Sequence, residues 1–375
     1  MKRFDRYLLS RLMVLFGFFA LVLVSIYWVN RAVALFDSLI GGGQPALVFL
    51  EFTALTLPNV IRLVLPVAGF AATVFTINRL TADSELVVMQ AMGFSPYRLA
   101  RPVLAFGLVV ALLTGILTHF LVPASRAQLE LREDEIAHNV TASMLTEGRF
   151  LHPANGITFF IREITPTGEL RDVFLSDARG TTRRITYTAQ RALLVQEETG
   201  PKLLMFDGLV QALHLTNQRL ATTSFSDLTY DVAALLSQPN TGRLDLRILP
   251  TPDLLSPTSE RIEAARATRA EFLTEAHART GQPLMAVAGV LIGFAALVVG
   301  GFSRFGLWRQ ILLAIGILVG LQLLDNSLTE IARHDETLWP LVYLPPMVGL
   351  LIGGMLMYLS ARTIRWRRAT RSASA

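Results

Sequence analysis

Six apolar stretches run along the chain, three before a long polar middle and three after it. A hydrocarbon core of about 30 Å needs roughly 20 mostly apolar residues in helix. Residues 12–29, 54–77, 102–122, 283–302, 307–324 and 338–359 meet that requirement. Lys2, Arg3 and Arg6 ahead of the first stretch imitate the start of a signal peptide. The apolar run is long, however, and no small-residue cleavage site follows it, so it reads as a retained first span. The pattern predicts 1–122 as spans one to three, 123–280 as a separate domain, and 281–375 as spans four to six with a basic tail.

The middle segment changes period. Runs 157–161, 186–190, 191–196, 203–206 and 209–215 are rich in β-branched, aromatic and alternating residues, and Asp207-Gly208 between two of them reads as a hairpin turn. Gly168, Gly180 and Gly200-Pro201 punctuate at spacings that suit an all-β sandwich or roll. Charged, periodic segments at 124–142 and 259–279 flank these runs and read as helical stalks.

Charge fixes a topology. Fourteen Lys/Arg fall on one side: Lys2, Arg3, Arg6 and Arg11, then Arg79, Arg98 and Arg101, then Arg304 and Arg309, and finally five in the tail. The short loops of the other side hold only Arg31 and Arg333. This asymmetry predicts cytoplasmic termini and an outer, periplasmic middle domain. The composition agrees, with 52% hydrophobic and 17% charged residues, against about 25% charged in soluble domains. The middle carries a slight negative net charge, so the overall +5 resides in the membrane part, as attraction to an anionic leaflet requires. No soluble basic patch points to nucleic acid.

The chain offers no covalent chemistry of its own. It has no cysteine, no phosphate-binding glycine fingerprint, no nucleophile elbow and no zinc-binding His-Glu pattern. Its six histidines are scattered. Any work it performs needs energy from a partner.

Three features stand above this background. The loop 81–93 contains Asp83, suited to cap a short helix, and Gly93, suited to end it, with Leu86, Val88, Met89 and Met92 between them. So short and apolar a helix is marginal in water and fits a groove on a partner, or else its own spans or the headgroup zone. Ser84 and Glu85 open it, and the Glu85 carboxylate suits the helix dipole or a partner's arginine. The second feature is cationic: Arg31 ends span one, and Arg62 lies about 12 Å into span two, where a guanidinium is costly unless it meets water or an anion. Arginine forks at that depth suit a phosphorylated amphiphile; snorkelling or pairing with Glu51 is the plainer reading. The third is a G-x-x-x-G pair in each of the last three spans, at Gly289/Gly293, Gly316/Gly320 and Gly349/Gly353, which allows close helix packing within the chain or between subunits.

Three spans, an outer β domain and three spans, together with Asp83-Ser84-Glu85-Leu86-Val87-Val88-Met89-Gln90-Ala91-Met92-Gly93-Phe94-Ser95, resemble the LptF/LptG family of lipopolysaccharide export permeases. Arg6-Tyr7-Leu8-Leu9, Leu57-Pro58, Leu65-Pro66 and Asp172-Val173-Phe174-Leu175 carry the same resemblance, and 155–175 is more similar to the LptF branch. The resemblance implies a membrane α-helical fold of six transmembrane helices with an inserted periplasmic β-jellyroll. It also implies a non-catalytic subunit of an ABC transporter, paired with an LptG-like permease in a heterodimer. An LptB-like ATPase dimer would bind ATP and Mg, leaving no cofactor in this chain. LptC-like and LptA-like bridge proteins would receive lipopolysaccharide. The loop at 81–93 takes the place of the family's coupling helix, Glu85 matches the acidic residue that contacts the ATPase, and Arg31 falls near a basic residue that touches lipid phosphates. Arg62 has no firm family counterpart, and its assignment rests on the cost of burial. Other readings are a permease for another lipid or lipoprotein, a membrane-anchored ligand-binding scaffold, or a secondary transporter; co-purification with an ATPase separates the permease readings from the last two.

Overall fold

The computed structural model describes residues 3–39, 46–143, 147–152, 156–166, 168–180, 182–197, 200–215, 218–231, 244–299 and 307–372. Lys2, Asn155, Arg304 and the end of the fourth apolar stretch at 300–302 lie outside them. The chain divides into two compact units: Met1–Leu129 together with Leu244–Ala375, and Glu130–Arg243.

Six helices of the first unit are long and apolar enough to cross a membrane. They are α1 (Arg3–Leu39), α2 (Ala46–Ala82), α4 (Pro96–Ile116) continued by a π-turn (Leu117–Leu121) into α5 (Val122–Ser143), α8 (Arg269–Val299), α9 (Trp308–Ala332) and α10 (Leu344–Ser372). Short α3 (Glu85–Ala91) joins α2 to α4, and α6 (Thr251–Leu255) and α7 (Ser259–Ala265) precede α8. The fourth span begins well before Pro283, which sits inside α8. Residues 269–279 are therefore the start of that span rather than a separate stalk, and 244–268 pack in the helical unit. The sheet-bearing unit is correspondingly shorter than the 123–280 expected from composition. Polarity misled there, because Arg269–Arg279 is charged yet half of it is buried.

Helix α8 is the hub. It packs against α2, α4, α9 and α10, and nearly every residue from Ala286 to Val298 is buried. Backbone polar groups must be satisfied internally in lipid. Where α2 carries Pro58 and Pro66, the hydroxyls of Thr73 and Thr76 donate further along to the carbonyls of Gly69 and Ala72 at 2.8 and 2.6 Å. Helices α1 and α9 are peripheral. Val14, Phe18 and Leu21 on α1 and Leu312, Val319 and Leu323 on α9 are all exposed.

The second unit is one six-stranded antiparallel sheet in sequential order: β1 (Phe150–Leu151), β2 (Ile157–Ile164), β3 (Glu169–Asp177), β4 (Arg183–Glu197), β5 (Gly200–His214) and β6 (Leu220–Asp231). Among the described residues this is a meander, not the crossed strand order of a jellyroll. Two further expectations are corrected. The runs 186–190 and 191–196 are one strand, and Asp207-Gly208 is no hairpin turn but the interior of β5.

The reason is a crease. In a regular strand every second residue shares a face, yet Leu170 and Val173, and likewise Ala189 and Ala192, are buried three positions apart. One register row joins Ile161, Val173, Ala189, Gly208 and Phe225, and another joins Glu163, Arg171, Arg191, Phe206 and Asp227. Between them Arg162, Asp172, Gln190, Asp207 and Ser226 form no register pairs, and Asp172 and Asp207 have φ of 50° and 54°. The inward face thus slips by one residue on β2 to β6 at the same row. Gly208 lies on it, where a Cβ would collide with the Thr188 carbonyl and the Phe225 ring.

Candidate functional site

A cavity of about 660 Å3 opens at the end of the helical unit away from α3. Its walls are the middle of α2, the π-turn after α4 with the start of α5, a short 3-10 turn at Leu246–Ile248, the first half of α8 and the last turns of α9. Five arginines line it: Arg62, Arg126, Arg247, Arg279 and Arg333. Three carboxylates face them, Glu275, Asp325 and Glu330.

The arginines differ in what they are free to do. Arg279 is almost fully buried, with 3% exposure. It donates to the carbonyls of Leu249, Arg247 and Leu246 at 2.8, 3.2 and 3.3 Å, and pairs with Glu275 at 3.5 Å. Its guanidinium is occupied in tying 244–251 to α8. Arg126 pairs with Asp245 at 3.4 Å, and Arg333 with Glu330 at 3.3 Å. Among the described residues Arg62 donates only to neutral oxygens, Asn59 Oδ1 at 3.1 Å and Gln282 Oε1 at 3.3 Å. Its Nε is buried without a hydrogen-bond partner among the described residues. A guanidinium held by two neutral amides, with no direct ion pair among the described residues, can meet an anion with its fork.

Sequence reasoning reached Arg62 through the cost of its depth. It missed Arg126, Arg247 and Arg279, which lie in segments whose polarity suggested an outer domain, and counted Arg333 only as a loop charge. No spacing rule links five positions on five elements; only the fold does. Arg31 is exposed on α1 and does not line the cavity.

At the opposite end, α3 spans Glu85–Ala91. Asp83 is not its cap. Asp83 pairs with Arg79 at 3.7 Å, and Ser84 holds the cap position in left-handed conformation without a side-chain cap bond. The other end follows expectation: Gly93 has φ +95°, and the bonds Phe94 N to Met89 O and Gly93 N to Gln90 O, both 3.1 Å, close a Schellman motif. Leu86 is buried and Met89 half-buried against the bundle, while Val87, Val88 and Met92 are exposed at 37%, 54% and 63%. The Glu85 carboxylate is engaged within the chain. It accepts from the Tyr7 hydroxyl at 3.2 Å and pairs with Arg11 at 3.7 Å.

The glycine pairs separate into two kinds. A Cβ on Gly349 would lie 2.9 Å from Ala288 Cβ, one on Gly353 2.8 Å from Leu291, and one on Gly293 3.2 Å from Phe70. These glycines, with Gly289 against Leu318, are intramolecular contacts. Gly316 and Gly320 of α9 meet nothing within 4 Å.

Six membrane-length helices, a cavity of arginines at one end, an apolar connector helix at the other and a separate β unit define the class, a polytopic membrane protein. The family model for the lipopolysaccharide export system permease LptF/LptG matches residues 6–359, and the chain belongs to that family. It is similar to an uncharacterised protein of Rickettsia prowazekii, 23% identical over 76% of this chain and 78% of that one. It is 25% identical to the lipopolysaccharide export system permease protein LptF of Escherichia coli K12, over 64% of this chain and 66% of that protein, just under two thirds of its length. A shorter likeness, 27% over 33% of the chain, joins it to the LptG protein of Haemophilus influenzae. The chain is thus an inner-membrane multi-pass permease subunit of the lipopolysaccharide export ABC system, a family whose members work with a second permease and an ATPase.

Proposed function

We propose that this chain is the LptF-type half of a heterodimer with an LptG-like permease, and that it extracts lipopolysaccharide from the inner membrane. An LptB-like ATPase dimer, holding ATP and Mg, drives it from the cytoplasmic side where both termini lie. The observation that carries this reading is the separation of two features by the length of the bundle. Apolar Val88 and Met92 project from α3, and the arginine cavity lies at the far end.

The cavity suits a phosphorylated sugar and not a set of acyl chains. Five arginines and three carboxylates share its roughly 660 Å3 with Leu63, Pro66, Val67 and Met285, a space for one headgroup but too small for several acyl chains, whose every CH₂ removed from water is worth about 0.8 kcal/mol. The chains therefore lie outside it, against the exposed apolar faces of α1 and α9. Arg62 takes a headgroup phosphate; Arg31, exposed on α1, meets the headgroup region from the other side. Closure of the ATPase dimer moves α3, and the spans carry that motion outward and squeeze the lipid up. The β unit, placed in the periplasm, then shields acyl chains on the face that bears Ile157, Ile161, Leu170, Val173 and Leu175 and passes them to LptC-like and LptA-like bridge proteins.

A photocrosslinking residue at position 62 of the assembled transporter is expected to capture lipopolysaccharide, with ATP lowering the yield as lipid leaves. Crosslinks to protein alone, with lipopolysaccharide present, would refute the headgroup role.

A further inference from the structure

The two ends of α3 both hold α1. At its start, Glu85 accepts from Tyr7 and pairs with Arg11, and the Arg11 guanidinium lies 4.7 Å above the Tyr7 ring. Just past its end, Phe94 meets Phe4 edge to face at 5.8 Å. The three α1 residues stand at positions 4, 7 and 11, spaced by three and four, and so lie on one helix face.

Leu8, Leu12 and Phe16 are buried, with Phe16 packed edge to face on Phe106 at 5.5 Å. Beyond this anchor α1 packs only part-buried: Phe19 meets Phe75 edge to face at 5.8 Å, and Ala20, Leu23 and Val24 lean on the bundle. Between 17 and 33 no residue of α1 is buried. The neighbours of α3 in sequence are fixed far more firmly. Ile77 and Leu80 of α2 and Leu99, Val103 and Phe106 of α4 are all buried in the cluster that includes α8. Displacement of α3 therefore meets a rigid body on two sides and a lever, anchored at its inner end, on the third.

We propose that α3 passes motion to α1 through the Glu85–Tyr7–Arg11 cluster and the Phe94–Phe4 contact, with Tyr7 and Arg11 as positioning residues for transport. This rests on the proposed role of α3 as the seat of the ATPase. Glu85 is then a transmission contact within the chain. An exposed ion pair of this kind is weak, so it can be remade at each stroke, while the aromatic contact keeps α1 in register.

The test uses the assembled transporter in proteoliposomes containing lipopolysaccharide. Tyr7→Phe, Arg11→Ala and the double variant leave α3 itself intact. They are expected to retain the ATPase and its hydrolysis rate, and to lower lipopolysaccharide extracted per ATP by about threefold for each single change, the scale of one exposed ion pair. Arg11→Lys keeps the charge and is expected to restore the ratio. A second reading is independent of lipid. Because the chain has no cysteine, spin labels can be placed on exposed positions through Val33→Cys and Leu323→Cys. Nucleotide is expected to change their separation in the otherwise unaltered complex, and the double variant to suppress that change. An unchanged ratio with an undiminished distance change in the double variant would overturn the proposal. A complex that binds no ATPase, or hydrolyses ATP without extracting lipid, would overturn the functional reading, while the label distances still judge the α3–α1 linkage.

Discussion

Asp172 and Asp207 flank Gln190 in one row of the sheet, and both have positive φ, 50° and 54°. No register pair forms at any of the three. The left-handed region is tolerable for Asp and hostile to a β-branched side chain. Asp207→Val is therefore expected to destabilise the β unit by about 1–2 kcal/mol. Asp207→Asn and Asp207→Gly are expected to be nearly neutral, apart from the exposed Arg191–Asp207 pair at 3.1 Å. Hydrogen exchange of β4–β6 in the detergent-solubilised chain reads the difference, and equal protection in the Val and Asn variants would contradict the account.

That crease also explains what could be read from the sequence and what could not. The six apolar stretches were legible because lipid imposes one simple rule on length and polarity. The strands were legible as β, but their limits were not. The inward face slips by one residue between Ala189 and Ala192, so β4 presents two patterns out of phase, and Asp207-Gly208 imitates a turn inside β5. The cavity shows the complementary case. The depth of Arg62 singled it out, whereas Arg126, Arg247, Arg279 and Arg333 are ordinary surface cations until the fold brings four elements together. Glu85 was picked out for its position in α3, yet its partners Tyr7 and Arg11 lie more than seventy residues away in sequence, beyond any local pattern.

Arg279 is expected to be a structural residue, in contrast to Arg62. Truncation to Ala would remove the donor shared by the carbonyls of Leu246, Arg247 and Leu249, leave the buried Leu249 carbonyl and the Glu275 carboxylate without this partner, and cost about 3 kcal/mol. Lysine has no planar fork to serve several acceptors, so Arg279→Lys is expected to rescue little. Arg62→Ala is expected to leave thermal stability nearly unchanged and to reduce lipopolysaccharide crosslinking. Similar melting shifts for Arg62→Ala and Arg279→Ala would refute this division.

The glycines predict a second contrast. Gly353→Val and Gly349→Val place side-chain atoms where Leu291, or Ala288 and Leu321, already stand, and overpacking of this kind costs about 1–3 kcal/mol. Gly316→Val and Gly320→Val fill open space on α9 and are expected to leave the isolated chain's melting temperature unchanged. If α9 faces the partner permease, those two variants weaken heterodimer recovery instead. Equal effects of all four on the isolated chain would count against the assignment of intramolecular contacts.

Acid is expected to loosen the end of β3. Arg179 donates to Asp177 through Nη2 at 2.8 Å and Nε at 3.1 Å, and its backbone N–H adds a third bond at 3.0 Å. These bonds, the side-chain ones first, hold the Asp177 carboxyl below its ordinary value of 3.8 despite partial burial. A folded-state value below the unfolded one means stability that is full above about 3.8 and is lost as pH falls through the depressed value. Protection of β3 is expected to decline below pH 4, and Asp177→Asn to flatten that decline. An unaltered acid dependence in the Asn variant would show that the pair contributes nothing to it.

The exposed and buried faces of α3 make the last contrast. Val88 and Met92 stand four residues apart, at 54% and 63% exposure, and Leu86 on the other face is 7% exposed. Residues four apart share a helix face, so Val88 and Met92 form one apolar contact that no described residue covers. Val88→Asp and Met92→Asp are expected to leave the melting temperature of the isolated chain unchanged, because neither side chain is buried in it. The same changes place a carboxylate in an apolar groove if the ATPase sits there, and co-purification of the ATPase is expected to fall at least tenfold, on the scale of burying one unpaired charge. Leu86→Asp is expected to do the opposite first, lowering the melting temperature before any partner is added, because its side chain belongs to the core that also holds Ile77, Leu80 and Leu99. Undiminished ATPase recovery with Val88→Asp and Met92→Asp together would remove α3 as the docking element, whatever the fate of the Leu86 variant.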